Sequence, residues 1–189
     1  MKKSLKHLAL MRGINVGGKN MLPMKDLAKI FTAAGCGNVQ TFIQSGNVIF
    51  DATPQLAIKL PGLISAQVAK RFGFQIPVVV RTHDQLQEIF AGNPFLKAGA
   101  DADLLHVMFL ADLPDPGAVA SLDPQRSPPD EFIVQGREIF LRLPDGVAGR
   151  QRRGSDCKLT NSYFDSKLAT VSTSRNWRTV TKLLEMMVG

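Results

Sequence analysis

The sequence contains few of the residues and segments that mark metal-binding, secreted or membrane proteins. Its 189 residues include two cysteines, Cys36 and Cys157, and three scattered histidines. Neither cysteine lies in a CxxC motif or at metal-ligand spacing from a histidine, so we expect no zinc site and no cofactor. No apolar run approaches the roughly 18 residues that a membrane span needs.

From the residues at the N-terminal region we expect no export signal. The apolar stretch at 8–11 is too short for the core of a signal peptide, and Arg12 ends it. We therefore expect a soluble, cytoplasmic protein with no membrane partner, in which both cysteines are thiols.

Positive charge is concentrated at the two ends of the chain. Residues 1–30 contain seven basic residues and one acid, for +6, and residues 147–189 contain eight and three, for +5. Residues 31–146 contain eight basic and twelve acidic residues, for −4, and the whole chain carries +7. If the ends meet in the fold, they form one basic face that attracts phosphates or nucleic acid. The alternative is a solvated surface that aids solubility.

The order of the predicted elements indicates an α+β protein made of two ferredoxin-like modules in tandem. In the first module the order strand, helix, strand, strand, helix, strand is predicted at 5–11, 23–34, 39–44, 47–51, 60–72 and 76–81. In the second module the same order is predicted at 104–111, 116–122, 132–134, 138–143, after Thr160, and at 171–174. The predicted domains are 1–82, a connecting helix and loop at 83–103, and 104–189, which ends in a C-terminal helix.

Apolar spacing and breaker residues support these predictions. Leu27, Ile30 and Phe31 recur at helical spacing before Gly35, which is typical of a helix end. The second predicted helix has Pro61 near its start. In the last predicted helix, the face shared by Trp177 favours a core position for this ring over stacking on a base.

A glycine-rich basic loop between the first strand and the first helix is the main candidate for a binding site. Its sequence is Arg12-Gly13-Ile14-Asn15-Val16-Gly17-Gly18-Lys19-Asn20. Three glycines let backbone N–H groups converge, and Arg12 and Lys19 add positive charge, which together can bind an anion. The alternative is a tight turn in which the glycines take positive φ and the two asparagines bond to the backbone.

The same loop partly matches a nucleotide-binding P-loop. Gly13, Gly18 and Lys19 fit the spacing G-x-x-x-x-G-K. Asn20 stands where a P-loop needs Ser or Thr to hold magnesium, and the hairpin that follows argues against a parallel sheet. We therefore favour anion binding without hydrolysis, or the tight turn.

Three further segments carry clustered polar residues. Gln44-Ser45-Gly46-Asn47 is typical of a hairpin turn, and Ser45 has no evident histidine base. The basic segment 150–161, which includes Lys158, Thr160 and Asn161, precedes a predicted helix whose dipole would favour an anion; the alternative is a surface loop. At 173–182, Asn176 starts the last predicted helix, and Arg175, Arg178 and Lys182 form a basic stripe along its first turns.

Taken together, these motifs resemble a known bacterial family. RGINVGGKN, TFIQSGNVIF, KLTNSYFDSKL and STSRNWRTVTKLLEM, in this order, are similar to the family called domain of unknown function 1697, and the likeness covers nearly the whole chain. The resemblance implies a pair of ferredoxin-like modules and no established activity, substrate or cofactor. One departure is a longer link at 147–156, after which Cys157 stands in place of the family's serine.

The leading functional hypothesis is non-catalytic binding of a phosphate-bearing or other anionic ligand, with nucleic acid as one such partner. The sheet signature of RNA-recognition motifs is absent, so any nucleic acid should be held mainly through its phosphates. The candidate binding residues are Arg12, Gly13, Asn15, Gly17, Gly18, Lys19, Asn20, Gln44, Ser45, Asn47, Lys158, Thr160, Asn161, Arg175, Asn176 and Arg178.

Two alternatives stay open. The polar residues could converge as the site of an enzyme for a small anionic substrate, although no paired carboxylates, triad or metal cluster accompanies them. The motifs could instead mark fold or oligomer contacts in an interaction protein. The sequence leaves open whether the chain is an enzyme.

Overall fold

The computed structural model describes residues 4–144 and 157–188. The chain divides into unit 1, which comprises Met1–Glu88 and Leu183–Gly189, and unit 2, which comprises Ile89–Lys182. The long link at 147–156, with its arginines, lies outside the described residues. The predicted domain boundaries after 82 and 103 stay a prediction.

Unit 1 contains a four-stranded antiparallel sheet. Its elements are β1 Leu5–Met11, α1 Met24–Ala33, β2 Gly37–Phe42, β3 Asn47–Ala52, α2 Pro54–Phe72 and β4 Val78–Thr82. The strand order is β2-β3-β1-β4, so β1 lies between β3 and β4. In the register Leu8 is opposite Ile49 on one side and Arg81 on the other. The predicted α+β class is confirmed.

The core of unit 1 lies between one face of this sheet and its two helices. Alternate strand residues, such as Met11 and Phe50, share a buried cluster with Leu27 and Phe31 of α1 and with Ile64 of α2. The buried apolar residues recur every second residue on the strands and about every 3.6 residues on the helices. Both patterns could therefore be recognised in the sequence.

The predicted start of α2 at Leu60 is wrong, because the helix begins six residues earlier, at Pro54. Thr53 is its N-cap, and the Thr53 side chain accepts a hydrogen bond from the backbone N–H of Leu56. Pro54 suits the first turn, where a missing N–H costs nothing. Pro61 lies inside the helix rather than near its start, and it removes one backbone hydrogen bond there.

Unit 2 contains a second four-stranded antiparallel sheet. Along the chain, the remaining elements are α3 His83–Gly92, α4 Pro94–Lys97, a 3-10 turn Ala102–Leu104, β5 Leu105–Leu110, α5 Pro116–Ala120, β6 Glu131–Gln135, β7 Glu138–Arg142, α6 Asn161–Leu168, β8 Ser172–Asn176 and α7 Trp177–Val188. The strand order is β6-β7-β5-β8, which repeats the pattern of unit 1. Met108, Leu141 and Phe164 belong to its buried core.

The predicted basic stripe of Arg175, Arg178 and Lys182 on one helix is wrong. Arg175 lies in β8, opposite Val107 of β5, and α7 begins only at Trp177. A strand side chain follows a two-residue period, so Arg175 points to one face of the sheet and does not continue the helix surface of Arg178. The predicted core position of Trp177 is confirmed, since its ring is buried and stacks on Phe90 at 5.2 Å.

Candidate functional site

The glycine-rich loop forms a miniature hairpin that projects from unit 1. Val16 and Lys19 pair across it, and the Lys19 N–H donates to the Val16 carbonyl at 3.0 Å. Gly17 and Gly18 form the tip with φ of 57° and 73°, the left-handed pair that a tight two-residue turn requires. Both glycines are exposed, and apart from their chain neighbours no described residue comes within 4 Å of where a Cβ on either would be.

Asn15 ties this loop to the neighbouring hairpin turn. Its Nδ2 donates to the Leu22 carbonyl and to the Gln44 carbonyl, both at 2.9 Å. Its Oδ1 accepts from the Leu22 N–H at 2.8 Å. One side chain therefore connects the two segments, 12–22 and 43–46, which lie more than twenty residues apart along the chain.

A second asparagine closes the base of the loop. Asn20 Nδ2 donates to the Gly13 carbonyl at 2.8 Å, and the Asn15 N–H donates to the Asn20 carbonyl at 3.2 Å. Both asparagines have left-handed backbones, with φ of 55° and 50°. These side chains bond to the backbone in the way described for the tight-turn alternative.

The hairpin turn after β2 is similarly built from its own polar groups. Asn47 is fully buried, and its Nδ2 donates to the Phe42 carbonyl at 3.1 Å and to Ser45 Oγ at 3.0 Å. Gly46 fits tightly under the loop, while Gln44 is exposed. Ile43 has φ of 46°, a strained conformation for a β-branched residue.

The outer surface of these two segments combines positive charge with apolar side chains. Lys19 is exposed and Arg12 is half-buried. Val16, Met21 and Ile43 are 68%, 62% and 50% exposed, which is unusual for large apolar residues that lie on neighbouring segments. This apolar group was not predicted from the sequence, because single exposed apolar residues in loops carry no periodic signal.

In unit 2, the candidate residues near α6 cap and fasten that helix. Thr160 Oγ1 accepts from the Tyr163 N–H at 3.2 Å, which confirms the predicted cap. Asn161 Nδ2 donates to Ser172 Oγ at 2.7 Å, and that hydroxyl donates to Asp165 at 2.6 Å. Lys158 has an exposed side chain.

The candidates on β8 and α7 also have defined partners. Arg175 is buried, its Nη1 donates to Thr173 Oγ1 at 2.9 Å and to the Ser174 carbonyl at 2.7 Å, and burial lowers the pKa of its guanidinium to about 10. Arg178 is exposed and pairs with Asp103, which raises its pKa. Asn176 Oδ1 accepts from the Thr179 N–H at 2.8 Å and thereby caps α7.

A second buried arginine, in unit 1, was not predicted from the sequence. Arg81 in β4 is 1% exposed, and its Nη1 donates to the carbonyl of the preceding residue, Val80, at 2.9 Å. Arg175 makes the same bond to its own preceding residue, and each arginine lies in the last strand of its sheet. The signal in the sequence was a single arginine at the end of an apolar strand, which is also typical of a strand boundary.

The described residues contain neither a recognisable metal site nor a membrane-spanning element. No group of three His, Cys, Asp or Glu residues in this part of the chain could hold a metal ion. Within residues 4–144 and 157–188, no helix is both long and apolar enough to cross a membrane.

A comparison with models of protein families shows which family the chain belongs to. The model of the family described as "Protein of unknown function (DUF1697)" matches residues 5–140, well over half of the chain. The chain belongs to the DUF1697 family. The matched residues include the loop 12–20 and the turn 44–47, and they end before Lys158.

The fold of this DUF1697 protein is also similar to a solved structure. That structure is the conserved bacterial protein SP0830 from Streptococcus pneumoniae, with a TM-score of 0.69 and 20% sequence identity. The alignment covers 98% of this chain and 99% of the other. At this identity the likeness concerns the fold alone. A search of curated proteins found no match.

Within this DUF1697 protein, some of the candidate residues lie together and others do not. In unit 1, Asn15 joins the glycine-rich loop to the turn that contains Gln44, Ser45 and Asn47. In unit 2, Asn161 contacts β8, while Arg178 pairs with the segment before β5. The loop 12–20 combines an exposed lysine, Lys19, with the two left-handed glycines Gly17 and Gly18 at its tip.

Proposed function

We propose that this protein binds a phosphate-bearing ligand, without catalysis, at the loop 12–20 and the adjoining turn 43–46 of unit 1. The observation that supports this most is the open tip, where Gly17 and Gly18 are both left-handed and have no neighbour at their Cβ positions. Glycines allow the backbone to approach a phosphate closely, and exposed N–H groups can then donate to its oxygens.

Charge and rigidity also support this proposal. Residues 1–30 carry a formal charge of +6, and the exposed Lys19 lies directly beside the tip. The bonds from Asn15 and Asn20 hold the loop in one conformation, so little ordering entropy is lost when a ligand binds. A phosphate held by lysine and backbone N–H groups would be bound strongly at low salt and weakly at high salt.

Binding of a fluorescein-labelled single-stranded RNA, measured by anisotropy over a salt series, tests this proposal. We expect affinity to fall steeply as salt rises, and we expect pyrophosphate to compete with the RNA. Lys19→Ala should lower the affinity about threefold to tenfold, because one phosphate contact is removed.

Lys59→Ala is the matched control, since Lys59 is an exposed lysine on α2 and its replacement removes the same charge. A loop site requires that Lys19→Ala weakens binding more than Lys59→Ala. Equal weakening by both variants would mean that net charge alone attracts the RNA, and undetectable binding at low salt would reject the proposal.

A second candidate function is protein interaction through the same segments. It is favoured by the exposed apolar side chains Val16, Met21 and Ile43, which a ligand made only of phosphates would leave in water. Sedimentation of the wild type and of the Val16→Ser/Met21→Ser variant tests for self-association. Concentration-dependent mass in the wild type, lost in the variant, would support this function over phosphate binding.

We also infer that each unit is a ferredoxin-like module. Both units follow the order β-α-β-β-α-β, and in both antiparallel sheets the first strand lies between the third and the fourth. In such a module the loop after the first strand leaves the sheet at the end of a central strand, and in unit 1 this is the glycine-rich loop. A crystal structure with a different strand order in either unit would contradict this inference.

A further inference from the structure

A polar cleft lies on the sheet face of unit 1 that is opposite α1 and α2. Its volume is about 360 Å³, within the range of sites for small molecules. It is lined by Lys6, Asn38, Val39, Gln40, Ile49 and Asp51. These residues belong to β1, β2 and β3, so the cleft is distinct from the loop 12–20.

The sheet register explains why these side chains converge. Lys6 of β1 lies opposite Asp51 of β3, and Gln40 of β2 lies opposite Ile49 of β3. Opposite residues on neighbouring strands have their Cβ atoms about 5 Å apart on the same face. A cation, a carboxylate, an amide and an apolar side chain are therefore presented side by side.

An irregularity in β2 shapes one wall of the cleft. The register between β2 and β3 shifts between Gly37 and Gln40, which indicates a bulge. Within it Asn38 is left-handed, with φ of 45°, and its Nδ2 donates to Asp51 Oδ2 at 2.6 Å. Bulges commonly redirect a side chain beside a binding site, and here the bulge directs an amide onto the carboxylate of the cleft.

We propose that this cleft binds a small zwitterion, specifically a free α-amino acid. Asp51 would accept hydrogen bonds from the ammonium group, Lys6 would pair with the carboxylate, and the nearly buried Ile49 would contact the side chain of the ligand. Gln40 is exposed at the edge and can both donate and accept. Lys6 and Asp51 are both partly exposed, and water weakens the attraction between opposite charges at such positions. A ligand that presents both charges can therefore compete with a pairing of Lys6 with Asp51.

Titration of the ¹⁵N-labelled full chain with each standard amino acid, at up to about 10 mM, tests this proposal. We expect at least one amino acid to cause saturable shifts of the backbone amides at 38–40 and 49–51. Lys6→Met and Asp51→Asn should each weaken that binding about tenfold or more, because each removes a charge-assisted contact.

Two further variants distinguish amino-acid binding in this cleft from binding at the glycine-rich loop. Asn38→Gly keeps the left-handed backbone but removes the amide, so it should weaken binding without disturbing the rest of the spectrum. Lys19→Met, at the loop of the proposed phosphate site, should leave amino-acid binding unchanged. A wrong proposal for the cleft can therefore be distinguished from a wrong proposal for the phosphate site at the loop.

The wild-type titration does not depend on any variant and can overturn the proposal alone. If no amino acid causes saturable shifts in the cleft, the proposal is wrong. It is also wrong if acetate binds with the same affinity as the amino acid and only Lys6→Met weakens that binding. The cleft would then be a simple anion site.

Discussion

At the residue scale, Gly46 packs tightly against Ile14 of the glycine-rich loop and Met11 of β1. A Cβ added there would lie 2.7 Å from both Ile14 Cδ1 and Met11 Cβ, and the backbone has φ of 76°. Gly46→Ala therefore combines a steric clash with a left-handed backbone. We expect it to lower the free energy of unfolding by about 3 kcal/mol, measured by urea denaturation.

Gly62 provides the matched control for this prediction. It lies inside α2 and has no positive φ, and beyond the adjacent helix backbone no described residue comes within 4 Å of its Cβ position. Gly62→Ala should raise stability by about 0.5 to 1 kcal/mol, since alanine favours the helix. Similar losses in both variants would contradict the packing described for Gly46.

His7 is expected to make stability depend on pH. Its side chain is buried and stacks on Phe50, and burial lowers the pKa of its imidazole below the ordinary value. The unfolded chain then binds a proton at a higher pH than the folded chain does. The contribution of His7 to the free energy of unfolding is therefore fully present above about pH 6.5. It falls as the pH drops toward the pKa of His7 in the folded chain, and below that pKa it changes no further.

His7→Gln should reduce this loss of stability, measured as the urea midpoint at several pH values between neutral and mildly acidic. Burial lowers the pKa of His106 in the same direction, so a smaller dependence should persist in the variant. A dependence as steep as in the wild type would show that His7 does not contribute.

At the element scale, the two asparagines of the glycine-rich loop should differ in importance. The Asn15 side chain makes three hydrogen bonds that join two segments, whereas one bond is found for the Asn20 side chain, within the loop. Replacement by glycine keeps the left-handed backbone in both cases and removes only the side chain. We expect Asn15→Gly to cost about 2 to 3 kcal/mol and Asn20→Gly about 1 kcal/mol in urea denaturation.

A reversed order of these two losses would mean that the connection to the turn contributes little. Binding of labelled RNA at low salt should also fall more in Asn15→Gly than in Asn20→Gly. Loss of the connection at Asn15 lets the loop move away from the turn, and ordering it again costs binding free energy.

Elements with strong periodic patterns could be predicted from the sequence, and elements set by a cap or a register could not. The strand 5–11 and the helix carrying Leu27 and Phe31 were predicted because their apolar spacing is clear. The start of α2 was missed because Pro61 suggested a helix start, whereas Thr53 supplies the actual cap. A cap is a single hydrogen bond, and one residue gives only a weak signal.

The candidate residues were easier to select than their roles. Asn15, Asn47 and Asn176 were chosen as polar residues of motifs, and each bonds to the local backbone. A polar side chain that closes a turn and one that binds a ligand have the same sequence pattern. The cleft of unit 1 was not predicted, because its side chains are brought together by strand pairing and by a bulge.

At the scale of the whole molecule, unit 1 is formed from both ends of the chain. Its sheet and helices come from the first 88 residues, and the end of α7, from Leu183 onward, belongs to the same unit. Leu183 and Met187 in this segment are 1% and 3% exposed. The C-terminal segment therefore contributes buried apolar surface to a unit whose strands all lie within residues 5–82.

Leu183→Ala should destabilise unit 1 in particular. Truncation of a buried leucine costs about 2 to 5 kcal/mol, and hydrogen exchange can assign that loss to individual strands. We expect faster exchange of backbone amides in β1, β3 and β4, with a smaller change in β5 and β7. Val188→Ala, at a side chain that is 70% exposed in the same helix, should leave exchange in all strands nearly unchanged. Removal of a buried side chain must weaken the unit in which it packs. If the amides of β1 exchange as slowly in Leu183→Ala as in Val188→Ala, the end of α7 does not stabilise unit 1.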